Sequence, residues 1–195
     1  LRMVMGKKGG NRNRAASMAR SAADTFESTP PLAAPSADAV RVKVTYTLHG
    51  QKRRFIMTFT PAENGGLLLD WTIERNLKWW KGTYRMSREA REDATRLCYV
   101  MPEDGNHIQV PGNALFGLVS EKTLHSLLTD GHAVLDGRTY TLEPVRRQSP
   151  LGELLVAVNQ ESGSAMEILN FPSLPLVWSM EGNPAEINWT TSLPD

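Results

Sequence analysis

The sequence predicts a mainly β fold, an antiparallel sandwich or partly closed barrel of short hairpins with two short inserted α-helices. Three observations carry that expectation. From Val40 onward apolar side chains recur at every second position, the period of a half-buried strand. The alternating runs are short and separated by Gly, Asn, Asp and Pro turn signals. Only two segments carry apolar residues at helical spacing. Around ten or eleven short strands hide their edges by closure or by sheet packing.

The elements follow in order. Val40, Val42, Val44, Tyr46 and Leu48 alternate with Arg41, Lys43, Thr45 and Thr47, and Gly50-Gln51 turns this first strand into a second through Phe55, Met57 and Phe59. Asn64-Gly65-Gly66 is the next turn signal. Leu67, Leu69, Trp71 and Ile73 share one face of a third strand, with Leu68, Asp70, Thr72 and Glu74 on the other. A turn near Arg75-Asn76 leads to a fourth strand with Trp80, Tyr84 and Met86 inward and Trp79, Lys81, Thr83 and Arg85 outward. Strands joined this closely form an antiparallel meander.

Ser87 caps a helix expected over 88–98, with Ala90, Ala94 and Leu97 at helical spacing and Arg88 and Glu92 four apart. Pro102, Asp104-Gly105 and Pro111 break the chain, with short strands near 108–110 and 115–119. Ser120 caps a second helix, 120–130, whose stripe is Leu124, Leu127 and Leu128, and Gly131 supplies its left-handed end. A tight hairpin follows around Asp136-Gly137. Two more are expected, pairing 154–158 with 166–169 and 176–180 with 186–190.

Composition bounds the function classes. The 195 residues carry 41% hydrophobic and 22% charged side chains and a net charge of +1, ordinary for a globular chain. Residues 1–36 hold six basic and two acidic side chains, +4, while the remainder is 16 basic against 19 acidic, −3. With three glycines before position 11, three prolines after position 29 and Phe26 as its sole aromatic, the segment 1–37 is expected to be a disordered basic tail or linker ahead of a single β-rich domain at 38–195. Without interleaved aromatics it reads as a solvated tether, so nucleic acid is not an expected partner. No apolar run reaches the roughly 20 residues of a membrane-spanning helix. Beginning at Leu1, the chain is expected to lack its natural amino terminus and any signal peptide there.

The chain contains no nucleophile elbow, phosphate loop, dinucleotide fingerprint or HExxH. Cys98, the single cysteine, excludes an intrachain disulfide. It has His107 and His125 as conceivable bases, but its place on an apolar helical stripe marks a small buried thiol. His49, His107, His125 and His132 have no metal-ligand spacing. Asp70 and Glu74 share a strand face but stand about 13 Å apart along it, too far for a direct carboxylate dyad. No catalytic residue, metal or cofactor is therefore assigned.

The candidate binding surface is the outward face of the first meander, where Trp79 lies beside Asp70, Thr72, Glu74 and Arg85. An exposed Trp among charged and hydroxyl groups suits stacking on a carbohydrate or anchoring a protein partner. The competing reading is a Trp79 covered by a helix or loop of its own chain; Trp71, Trp80, Trp178 and Trp189 alternate with apolar neighbours and read as core.

The run 67–73, the segment 82–87, Pro102-Glu103-Asp104-Gly105, 116–120, the Asp136-Gly137 hairpin, 171–180 and 187–189 together resemble a group of secreted β-rich proteins from Bacteroides-type gut bacteria. The resemblance spans roughly residues 40 to 190. It implies a periplasmic, surface-attached or secreted location, with no known activity and no catalytic residue. The resulting expectation is a non-catalytic extracytoplasmic binding or structural module, the alternative being a hydrolase of sugars or peptides using carboxylates or a His in a cleft.

Overall fold

A computed structural model of the chain describes residues 38–48, 50–98, 102–182 and 187–195. The expected basic tail at 1–37, His49 and the start of the strand expected at 186–190 lie outside them. The chain opens with the meander β1 (Val40–Leu48), β2 (Gln51–Pro61), β3 (Leu67–Arg75) and β4 (Lys78–Met86). A connecting segment follows, with α1 (Arg88–Asp93), β5 (Arg96–Leu97), β6 (His107–Gln109), β7 (Ala114–Leu115) and α2 (Glu121–Asp130). The second meander is β8 (His132–Leu135), β9 (Arg138–Ser149), β10 (Gly152–Val158), β11 (Ala165–Leu169), β12 (Val177–Glu181) and β13 (Ile187–Ser192).

Eleven strands hydrogen-bond into one continuous sheet in the order β6-β4-β3-β2-β1-β13-β12-β11-β10-β9-β8, and β5 and β7 form a separate parallel pair. The outermost strands do not join, so the sheet is not a closed barrel. All its pairings are antiparallel except β4 with β6. No helix among the described residues is long and apolar enough to cross a membrane.

The period-two pattern determines which face is buried. Register pairs Phe55 with Ile73, Met57 with Trp71 and Phe59 with Leu69, so one face of the first meander is continuously apolar. Across it the rings of Tyr46, Phe55, Trp71, Tyr84 and Phe116 form a chain, with successive centroids 5.2, 6.0, 5.6 and 5.0 Å apart. These separations fall in the favourable range for offset and edge-to-face pairs. Trp71 lies over its cross-strand partner Gly82. A Cβ on Gly82 would come within 2.5 Å of the indole Cζ2 and closer still to the Asn106 carbonyl.

Both helices start where expected. The Ser87 hydroxyl accepts the Ala90 N–H at 3.1 Å, and that of Ser120 accepts the Thr123 N–H at 3.1 Å. α2 ends at Gly131, which is left-handed with φ 77°. Two details differ from expectation. Leu128 is exposed rather than part of the buried stripe of Leu124 and Leu127. The first helix stops at Asp93 instead of continuing to Cys98, because tertiary hydrogen bonds hold the next residues extended. The Thr95 carbonyl accepts the Asp136 N–H at 2.8 Å, Asp136 Oδ1 accepts the Leu97 N–H at 2.9 Å, and the Cys98 N–H reaches the Leu115 carbonyl at 2.8 Å.

The hairpin joining β3 and β4 turns on two residues, Asn76 and Leu77, with φ of 52° and 61°. Positive φ at both central positions defines the turn that matches strand twist, and Asn-Gly is its favoured sequence. Leucine in the glycine position costs about 1–2 kcal/mol of backbone strain.

Two measurements test this architecture. Gly82→Ala should lose about 1–3 kcal/mol of stability through overpacking, and Trp71→Ala about 3–5 kcal/mol through the cavity it leaves, both read from urea unfolding. An unperturbed Gly82→Ala midpoint would contradict the close approach. Asp136 gives a pH test. Burial raises its carboxyl above the ordinary value, offset in part by the Leu97 N–H, Arg96 and Arg138. The folded state therefore binds this proton more tightly than the unfolded chain, and the group costs stability as pH rises from about 4 through its folded pKa. Asp136→Asn keeps the acceptor for Leu97 and tolerates φ of 54°. It should raise stability at neutral pH and flatten its pH dependence in pH-resolved melting.

Candidate functional site

A concave feature lies where the two meanders meet. β1 supplies Val42, Val44 and Tyr46, β2 supplies Phe55, Met57 and Phe59, and β13 supplies Ile187, Trp189 and Thr191. Phe116 and Gly117 of the connecting segment, with Leu176 and Val177, close the remaining side. These residues surround a cavity of about 50 Å³. Its walls are almost wholly apolar because each strand turns its core-facing alternate residues into the space.

Two polar groups interrupt that lining. Tyr46 stacks on Phe55, and burial raises its phenol pKa, with Arg53 and Arg75 opposing the shift. Thr191 is the cross-strand partner of Val44, and its Oγ1 is buried without a hydrogen-bond partner among the described residues. A buried hydroxyl left unpaired costs about 1–3 kcal/mol. Trp189 avoids that cost, its indole N–H donating to the Val177 carbonyl at 2.9 Å.

The outward face of β3 and β4 carries the five residues expected there, at the expected parity. Register pairs Glu74 with Trp79, Thr72 with Lys81, Asp70 with Thr83 and Leu68 with Arg85. The structure does not make one site of them. Trp79 is only 6% exposed and lies outside the main core cluster, so it offers no open ring for a sugar and the expected exposed anchor is corrected. Arg85 is six residues from Trp79 on the same strand, about 20 Å away. Glu74 is ion-paired with Arg54, Thr72 is half-buried, and Arg85 is exposed. Trp80, expected in the core, is half-buried at its margin with the Arg75 guanidinium 5.0 Å from its ring centroid.

Asp70, exposed as a residue, has its carboxyl pKa raised by desolvation, with His107, Lys81 and Arg85 pulling it back. His107 Nδ1 is hydrogen-bonded to Thr83 Oγ1, and no hydrogen bond joins the imidazole to Asp70 among the described residues. Cys98 is fully buried, and burial together with Asp136 pushes its thiol pKa up to about 11. No group of three or more His, Cys, Asp or Glu among the described residues is placed to hold a metal. No family model matches the chain, and neither a curated protein nor a solved structure matches it.

A thiol with this pKa and no exposure is unreactive in the native state. The disulfide reagent DTNB should therefore label Cys98 only at the rate of unfolding, with full labelling in denaturant. Rapid native labelling would show that the segment around Cys98 opens locally.

Proposed function

We propose that the protein is a non-catalytic binding module whose ligand is an elongated apolar molecule bearing one polar group. The observation that carries this is the cavity at the meeting of β1 and β13, with an almost wholly apolar lining and one unpaired hydroxyl on Thr191. An engineered apolar cavity of roughly 150 Å³ admits benzene. The volume here, about 50 Å³, suits the end of a chain better than a whole ring. A hydroxyl or carbonyl on the ligand would meet Thr191 and recover its hydrogen bond, and burial of each methylene contributes about 0.8 kcal/mol. The resemblance to secreted β-rich proteins supports an extracytoplasmic location for this activity.

The test is calorimetric titration of the full chain with straight-chain fatty alcohols of graded length and with alkanes of matching length. Alcohol affinity should rise with chain length and then level off. Val44→Phe should abolish binding while the melting temperature is retained. Thr191→Val should weaken the alcohols by up to about tenfold and leave the alkanes unchanged. Binding that survives Val44→Phe, or a chain that takes up neither series, removes the cavity as the site.

A further inference from the structure

The geometry points to the paired hairpin tips at one end of the sheet as a docking surface for an anionic lipid bilayer, with Leu77 as its inserting side chain. The inference does not rest on the ligand proposed for the cavity. Leu77 is 88% exposed, far above any other large apolar side chain among the described residues, the next being Val134 at 53%. It occupies the left-handed turn position where glycine is the unstrained choice. The sequence thus accepts both backbone strain and a solvent-exposed isobutyl group at one point, and no described contact of Leu77 within the fold offsets either. A contact beyond the described residues would compensate both.

The charge around that point defines the partner. Residues 50–54 and 74–80 form the neighbouring ends of the β1–β2 and β3–β4 hairpins. They carry Lys52, Arg53, Arg54, Arg75 and Lys78 against the single acid Glu74, a local balance of +4. Lys52, Arg53, Arg54, Arg75 and Leu77 line one shallow depression with Asn76 and Glu74. Arg53 donates to Gln51 Oε1 at 2.8 Å and to the Lys52 carbonyl at 3.1 Å. Arg75 packs on Trp80, an amphipathic ring suited to the headgroup level of a bilayer. A basic rim around one protruding apolar side chain matches a surface that is anionic outside and hydrocarbon beneath. Each basic residue near such a surface contributes about fivefold in affinity.

The experiment is co-sedimentation of the full chain with phosphatidylcholine vesicles and with vesicles in which about a third of the lipid is phosphatidylglycerol. The chain should sediment with the mixed vesicles, lose them as salt is raised, and ignore phosphatidylcholine alone. Leu77→Gly should melt at the same or a higher temperature, because glycine relieves the turn, and yet bind about tenfold more weakly. Lys52→Glu with Lys78→Glu should reduce binding at least as much. Both variants keep residues 1–37, so any contribution of that basic segment cancels in the comparison. Vesicle binding unchanged in Leu77→Gly, or equal on the two lipid compositions, overturns the proposal. So does a chain that ignores vesicles but is retained on immobilised polyglutamate in a Leu77-dependent way, which would identify an acidic protein as the partner.

Discussion

The pairing of β1 with β13 is the constraint on which the rest of the sheet depends. It joins the first and last strands of the described fold in a register running from Lys43 with Ser192 to Leu48 with Ile187. Every other antiparallel pairing is between strands that follow one another along the chain. Without the seam there are two separate meanders, each with an open edge. Closing the intervening loop of roughly 150 residues costs on the order of 4 kcal/mol beyond a constant term. The compensation is burial of the apolar faces of both meanders around a shared interior, which the core cluster spans without a break. The cavity follows from the same junction. Its walls come from β1 and β13 themselves and from the strands beside them, so the first and last parts of the fold must meet before the site exists.

The connecting segment makes the junction tolerable. An open sheet of eleven strands leaves its inner face to be covered from outside the hydrogen-bond ladder. That cover comes from Ala90 and Ala94 around α1, Leu97, Leu115 to Val119, and Leu124 and Leu127 of α2. Specific polar contacts fix its position. Arg91 donates to the carbonyls of Gly65 and Ser173 at 2.9 and 2.7 Å, linking the cover to both meanders. Leu118 bridges to Leu176, and the Phe116 N–H meets Met86 Sδ at 3.3 Å. A six-residue α1 followed by extended Arg96 and Leu97 satisfies the backbone through β7 and Asp136, where a longer helix would leave those partners unpaired.

Alternation was legible wherever a strand has one face on the core and the other in water. This covers β1 to β4 and the Asp136-Gly137 hairpin, whereas the strands of the last third, buried at consecutive positions such as Leu154 to Ala157, were legible from the turn-rich segments between them. It was silent on β9, which continues through Glu143 to Ser149 along β10. There the sequence Pro144-Val145-Arg146-Arg147-Gln148 has no apolar face to reveal, since those side chains are exposed. Proline and arginine are also what a protected strand edge carries. The parity of Trp79 was readable but its burial was not, because a face assignment says nothing of what covers that face. The cavity was invisible for a stronger reason. Its lining is an ordinary set of core residues drawn from separate strands and a loop, and only their convergence distinguishes them from the rest of the interior.

Polarity changes sharply along β2, and that gradient relates the two surfaces of interest. Lys52, Arg53 and Arg54 occupy its first turnward residues, while Phe55, Met57 and Phe59 line the cavity. Arg53 lies opposite Tyr46 in register and on the same face as Phe55, so the strand passes from guanidinium to aromatic ring within two residues. Arginine can hold that position because its stem covers apolar surface while its head reaches solvent at the sheet end. Arg75 does the same over Trp80 one hairpin away. At this end of the core the Arg75 guanidinium rests on the Trp80 ring, and the Arg53 head bonds to Gln51 and to the Lys52 carbonyl. Leu77 then stands as the exception, an apolar side chain beyond the charged rim where every local force on the isolated chain favours a glycine.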